Sequence, residues 1–316
     1  PNKAAAGCFA DIRTCVGCLH GCDANVNLEQ SGTCELNPII GHESEAEYQT
    51  VMTDSPKNVL VIGAGPAGLE AAIGAAKRGH RVSVYDKDRW AGGKYRLASV
   101  PPCKGELGAF IVWQMHELKK LNVPVILNTV VTKELVDSVK PDVIIAATGT
   151  TPVVPRKIPG WDKDIVVLGT DVLSGKANTG HNVVVIGGGH AGAETANHIA
   201  SYMKNVTIVE LQEDIAMDEV DTPRNALLAD LEKNKVRVCA STSVSEIKDH
   251  SVVVSGKFNE EIECDTVVIS IGHTPNTALA DELIQAGYDV RIIGDAVKVG
   301  LVGPAVRAGY LTARQI

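Results

Sequence analysis

No apolar run in this 316-residue chain approaches the ~20 residues that a membrane-spanning helix needs. The longest candidates, Asn58–Ile62 and Asn182–Ile186, are strand-length and each ends at a glycine. The first residues also lack the apolar core of a signal peptide. An excess of positive charge is missing too: 30 Lys and Arg face 38 Asp and Glu, a net charge of −8. That balance argues against nucleic acid or a membrane as partner and fits a cytoplasmic protein. Long polar tracts are absent, and a hydrophobic share of 45% in a chain of this length is enough for about two domains. The chain begins with Pro1 rather than Met, which we read as a piece of a longer polypeptide. Eight cysteines are too few for a disulfide scaffold, but four of them fall within twenty residues, a clustering that points to metal.

What is present falls into three stretches. Residues 1–55 are rich in Cys, Gly and Asn and show neither helical nor strand periodicity. They need a metal or a neighbouring domain to hold them. Thr53-Asp54-Ser55-Pro56 reads as a linker. From Lys57 a strand (Asn58–Ile62), a glycine turn (Gly63–Gly68), an Ala-rich helix (Leu69–Arg78) and a second strand (Arg81–Tyr85) form one βαβ unit. The layout returns about 124 residues later: strand Asn182–Ile186, turn Gly187–Gly192, helix Ala193–Met203, strand Val206–Val209. The Pro-rich stretch Thr151–Gly160 suggests a crossing between domains.

The first turn is Gly63-Ala-Gly65-Pro66-Ala67-Gly68. Its first glycine makes the tight turn, its second lets a pyrophosphate approach, and its third lets the helix pack on the sheet. Asp86, eighteen residues after Gly68, ends the next strand where an acid can accept the ribose hydroxyls. The second turn is Gly187-Gly-Gly189-His190-Ala191-Gly192, with Glu210 again eighteen residues on. A carboxylate at Glu210, with no Arg after it, favours NADH over NADPH. Glu194, just past the turn, either faces the nicotinamide or flavin or is a solvated first-turn acid favoured by the helix dipole.

The cysteine quartet is Cys15-x2-Cys18-x3-Cys22-x11-Cys34. Thiolates in such a loop, with Gly17 and Gly21, serve an iron–sulfur cluster or a structural zinc. Zinc ribbons usually carry two CxxC knuckles, and one pair here has that spacing. Cys103, Cys239 and Cys264 form no redox pair, which disfavours a dithiol reductase. Cys239 and Cys264 lie in strand-like runs and read as buried apolar residues, and Cys103 as a loop thiol.

Over residues 57–316 the chain resembles the pyridine-nucleotide-disulfide oxidoreductase superfamily. Besides the two glycine turns, the resemblance rests on Ala91-Gly92-Gly93-Lys94, on Ala147-Thr148-Gly149 closing a strand, and on Ile271-Gly272-His273-Thr274-Pro275-Asn276 as a crossover. Ile293-Gly294-Asp295 follows near the C-terminus, ahead of a helix Gly303–Ala313 aimed at the flavin. The segment Asp11–Cys22, with Cys34-Glu35-Leu36-Asn37-Pro38, closely resembles the multidomain old-yellow-enzyme relatives. These are 2,4-dienoyl-CoA reductase, enoate and bile-acid reductases, and trimethylamine dehydrogenase. There, such cysteines carry a [4Fe–4S] cluster directly after an FMN-binding TIM barrel, and Pro1-Asn-Lys-Ala resembles the end of the connecting linker.

The resemblance implies an α/β fold of two Rossmann-like dinucleotide-binding domains preceded by an irregular iron–sulfur segment. The expected division is 1–55 for the cluster segment and linker, 56–152 with 290–316 for a discontinuous FAD domain, and 153–289 for the NAD(H) domain. FAD would lie on Gly63, Gly65, Pro66, Ala67, Gly68, Asp86, Lys87, Gly93, Lys94, Ala147, Thr148, Gly149 and Asp295. NAD(H) would lie on Gly187, Gly189, His190, Ala191, Gly192, Glu210 and Gly272, and the cluster on Cys15, Cys18, Cys22 and Cys34. The implied activity passes electrons from NADH through FAD and the cluster to FMN. That FMN sits in a barrel, upstream or on a separate chain, which reduces an activated C=C bond of an enoate or enoyl thioester in an oligomer. No residue of the C=C-reducing apparatus has a counterpart in this chain. The alternatives are an amine-dehydrogenase-like electron-transfer scaffold holding ADP in place of FAD, and a stand-alone NADH diaphorase. The intact second turn and Glu210 favour the reductase branch.

Overall fold

Strands buried on both faces need continuous apolar runs, and two such runs organise the molecule. Val59–Ile62 and Val183–Ile186 are both buried throughout. The computed structural model describes residues 2–316, so Pro1 of the linker reading lies outside it. It divides into two compact units. The first takes the residues up to Arg96, Glu106–Thr151 and Thr274–Ile316; the second takes Leu97–Gly105 and Pro152–His273.

Each unit is built on a five-stranded parallel sheet. In the first, the spatial order is Val290–Ile292, Val143–Ala146, Asn58–Ile62, Arg81–Tyr85, Val125–Ile126. In the second it is Val166–Leu168, Thr266–Ile269, Asn182–Ile186, Asn205–Val209, Arg237–Cys239. The second unit adds an antiparallel sheet, Thr242–Ile247, Ser251–Gly256 and Glu260–Glu263, whose Ile247, Val252, Val254 and Ile262 are buried. Even the ends of the two sheets match. Asp142 accepts the Asn58 amide at 2.7 Å, and Asp265 accepts the Asn182 amide at 2.9 Å.

Three boundaries differ from the sequence expectation. The return to the first unit falls at 273/274 rather than 289/290, because Leu283 of the helix Ala278–Gln285 packs with Leu60, Ile62 and Ile144. Leu97–Gly105 belongs with the second unit, where Lys104 pairs with Glu194. The first 55 residues form no separate body but pack on the first unit, with Val16 and Leu36 in its core. The glycine-turn helices also begin earlier than read, at Pro66 and His190. Proline at the first helical position has its φ preset and loses no hydrogen bond, so the helix starts inside the motif.

Helix Val302–Arg314 lies against helix Pro66–Lys77 at small residues. A Cβ on Gly309 would come 2.2 Å from the Ala67 carbonyl, and one on Gly74 would come 2.8 Å from Ala313 Cβ. The cysteine segment is tied to these helices by charge. Arg13 donates from Nη2 to Glu70 Oε1 at 2.8 Å, and from Nη1 to the Leu36 carbonyl. Its guanidinium stacks over Trp113, 3.9 Å from the ring centre. Glu70 is 1% exposed, and its other oxygen takes a 3.1 Å bond from Gln114. Trp113 Nε1 and His116 Nε2, both on helix Gly108–Lys120, reach the Asp11 carbonyl and carboxylate at 3.1 and 2.7 Å.

Removing one partner of a buried ion pair leaves the other charge uncompensated. Arg13→Ala should therefore destabilise the first unit by about 3 kcal/mol or more, read as a lower calorimetric transition. Adding Glu70→Gln should recover much of the loss, and an unchanged Arg13→Ala transition would contradict the role given to the pair.

Candidate functional site

In both units the three glycines of the turn do different work. A Cβ on Gly63 would meet the Ala147 carbonyl oxygen at 2.2 Å, and one on Gly187 the Ser270 carbonyl oxygen at 2.3 Å. Both residues also have positive φ, 109° and 100°, which L side chains rarely adopt. A Cβ on Gly68 or Gly192 would strike the carbonyl oxygen of the first glycine at 2.0 or 2.1 Å. Those four positions are required by the fold. Gly65 is different: its φ is −77° and a Cβ there meets nothing within 4 Å. It caps a twelve-residue helix and leaves an open cradle at the helix N-terminus, where a phosphate can meet backbone amides and the positive end of the dipole.

The acids are held alike. Asp86 accepts the Ala64 amide at 2.6 Å with one oxygen and the Asp88 amide at 2.8 Å with the other. Glu210 accepts the Gly188 amide at 2.5 Å and the Gln212 amide at 2.7 Å. Each carboxylate is thereby fixed beside its turn as an acceptor.

The remaining residues of the first site largely converge. A Cβ on Gly93 would lie 3.5 Å from Gly65 Cα, and the Gly92 amide donates to the Ala64 carbonyl at 2.7 Å. Ala147 lies against both Gly63 and Gly68. Lys94 Nζ pairs with Asp295 at 2.8 Å, and a Cβ on Gly294 would lie 2.9 Å from Ala67 Cβ. Thr148 Oγ1 donates to the Asn276 carbonyl at 2.5 Å, and Gly149 has a φ of 65°. Lys87 is exposed.

In the second unit, Glu194 is not the solvated first-turn acid that one reading allowed. It is 6% exposed and paired with Lys104. Gly188 is required by packing, since a Cβ there would come 2.7 Å from Ile215 Cγ2. Gly272 has positive φ, 102°, in the return strand region. Asp218, which no spacing rule marks, lies on the glycine turn. It accepts the His190 amide at 2.7 Å and pairs with His190 Nδ1 at 2.7 Å. The contact raises the pKa of His190 and lowers that of Asp218 to about 2.

Cys15, Cys18 and Cys22 sit in irregular backbone, and Cys34 follows after the short helix Asp23–Asn27. Gly17 and Leu19 both turn through positive φ, 66° and 63°. The Thr33 amide donates to the Gly21 carbonyl at 2.7 Å, which brings Cys34 alongside the Cys22 loop. The Gly17 amide reaches Cys15 Sγ at 3.4 Å, the kind of N–H···S contact that tunes cluster sulfurs. None of the four is in a disulfide; Cys15 and Cys22 are exposed, Cys18 and Cys34 half-buried. Burial pushes the Cys18 thiol up, and Glu35, Cys34 and Cys22 nearby add to it. Burial also raises the Tyr95 hydroxyl strongly, with Cys18 and Cys34 among its neighbours, and that hydroxyl has no hydrogen-bond partner. An orphaned donor beside a four-thiol set fits a bound acceptor-rich group. Glu35 meanwhile accepts the Gly303 amide at 2.7 Å, linking the loop to the first turn of helix Val302–Arg314. Cys239 and Cys264 are buried as expected, and burial raises Cys264 to about 11. Cys103 is an exposed thiol.

Comparison with known proteins gives these features a context. The pyridine nucleotide-disulphide oxidoreductase family matches residues 57–294. The chain is 38% identical to an NADH oxidase of Thermoanaerobacter brockii, covering 100% of this chain and 50% of that protein. It is 35% identical to a cinnamate reductase of Clostridium sporogenes, covering 100% and 47%. A solved 2-naphthoyl-CoA reductase complex superposes with a TM-score of 0.96 at 32% identity, over 100% of this chain and 48% of that one. The chain thus spans about half the length of the relatives it matches, which indicates a fused partner domain in them. Among the described residues no helix is long and apolar enough to cross a membrane. With parallel α/β sheets, two matched glycine turns and a family that binds FAD and NAD(P)H, the chain belongs to the pyridine nucleotide-disulphide oxidoreductase family.

Proposed function

We propose that this chain is the electron-input half of an NADH-dependent C=C reductase, with FAD on the first unit, NADH on the second and a [4Fe–4S] cluster on Cys15, Cys18, Cys22 and Cys34. The observation that carries it is the pairing of two equivalent turns, each with a fixed acid, with a four-thiol loop packed on the first. When bound, FAD accepts a hydride and releases electrons singly, which suits it to stand between a nicotinamide and a one-electron cluster. The open cradle at Gly65 would take the FAD pyrophosphate, and Asp86 the ribose hydroxyls. Lys94 and Asp295 would meet the remainder of the flavin nucleotide. At Glu210 both oxygens already accept backbone amides, so its fixed negative charge favours a ribose hydroxyl and opposes the extra phosphate of NADPH.

The spacing of the quartet, with a single CxxC pair followed by Cys22 and Cys34, and the amide contact on Cys15 Sγ support a cluster over a single zinc. The electrons would leave through an FMN barrel in the missing half and reduce an enoate or enoyl thioester. The names of the cinnamate and naphthoyl-CoA reductases support that substrate class.

Anaerobic stopped-flow mixing of FAD-loaded protein with NADH should bleach the flavin band; an unbleached flavin would contradict the assignment. Cys18→Ser should remove the cluster's visible absorbance while FAD reduction by NADH persists. A collapse of that reduction in a folded Cys18→Ser protein would break the linear route. Gly65→Val should keep the melting temperature within a few degrees yet lose FAD on gel filtration, whereas Gly68→Val should fail to fold. Retention of FAD by Gly65→Val would remove Gly65 from the site.

A further inference from the structure

The two turns share the steric demands on their first and third glycines but differ at the middle glycine, where the pyrophosphate should approach. At Gly65 the cradle is open. At Gly189 the space is bordered by a side chain of the same chain: a Cβ there would lie 3.5 Å from both Asp218 oxygens. One oxygen accepts the first amide of helix His190–Ala200 at 2.7 Å, and the other pairs with the His190 ring at 2.7 Å. An acceptor oxygen on a helix-terminal amide, with an imidazole N–H beside it, is an arrangement that a nucleotide phosphate can use.

We infer that Asp218 is an internal competitor for the pyrophosphate of the nicotinamide nucleotide, and so a residue that sets its affinity. The inference rests on the assignment of NADH to the second unit. Asp218 is built to leave without unfolding the loop. Two residues earlier, the Ala216 amide donates to the Gly188 carbonyl at 2.7 Å, and Arg224 Nε donates to the Ala216 carbonyl at 3.1 Å. Those bonds hold the loop's base, while Met217 and Asp218 are exposed at its tip. A pyrophosphate cannot share the His190 amide with a carboxylate, because both are anionic acceptors and the amide has one proton. Binding therefore requires Asp218 to swing out, and the lost cap is subtracted from the nucleotide's affinity. The effect is uniform between ground and transition state, so it acts on KM and leaves kcat alone.

Calorimetric titration of the FAD-loaded protein with ADP-ribose and with adenosine tests this. For ADP-ribose, Kd should fall about fivefold or more in Asp218→Ala and less in Asp218→Asn, which retains a neutral cap. For adenosine, which lacks the pyrophosphate, Kd should not change. With NADH as reductant, KM should fall in the same order at constant kcat. Unchanged or weaker ADP-ribose binding in Asp218→Ala, with normal binding by the unaltered protein, would overturn the inference alone. A gain for adenosine equal to that for ADP-ribose would overturn it as well, since the effect would not be on phosphate. Failure of the unaltered protein and both variants to bind ADP-ribose would instead overturn the nucleotide assignment, and the inference with it.

Discussion

A buried carboxylate has to be paired, and in this chain the pairing of Glu70 decides where the cysteine loop sits. Glu70 lies on the helix that begins at the Gly65 cradle, so its position is set by the first glycine turn. Arg13 satisfies it from outside the sheet, two residues before Cys15, and at the same time holds the Leu36 carbonyl two residues after Cys34. One guanidinium therefore brackets the quartet from both ends and fixes it to the helix that faces the proposed flavin phosphates. Stacking on Trp113 and the Asp11–His116 contact keep that arm in register. A cysteine loop too short to form a core borrows rigidity from the first unit, and on the proposed assignment that packing would set the distance between cluster and flavin.

The repeated unit was legible because its requirements are local. A buried parallel strand must be a run of apolar residues, a helix packed on its own turn must have glycine at the crossing, and both appear in sequence at Asn58–Gly68 and Asn182–Gly192. The structure adds that Gly63, Gly68, Gly187 and Gly192 meet backbone oxygens, so their identity follows from packing whatever is bound, while Gly65 does not. What escaped the sequence depends on contacts far apart in the chain. Nothing near Lys104 says that it meets Glu194, ninety residues on, and nothing near Leu283 says that it packs under Leu60. Those two contacts moved the boundaries. Asp218 escaped for a related reason: it lies in an acid-rich loop, and its meaning comes from the helix end it reaches.

The two turns share one framework and differ at the middle glycine. Both keep the same steric demands and the same fixed acid, so both can hold an adenine nucleotide. The open turn suits a cofactor that stays, because nothing has to move aside for it. The turn guarded by Asp218 suits a nucleotide that must arrive and leave in each cycle, since weaker binding of both NADH and NAD+ leaves catalytic capacity untouched at high reductant.

On the proposed route, electrons enter at the second unit and reach a cluster on the first. Low-temperature electron paramagnetic resonance of anaerobic, FAD-containing protein, recorded together with iron, labile sulfide and zinc analysis, tests that most directly. Equal iron and labile sulfide at about four each per chain are expected, with a reduced-cluster signal that appears on addition of NADH. One zinc per chain with no sulfide, or a signal produced by dithionite but never by NADH, would contradict it.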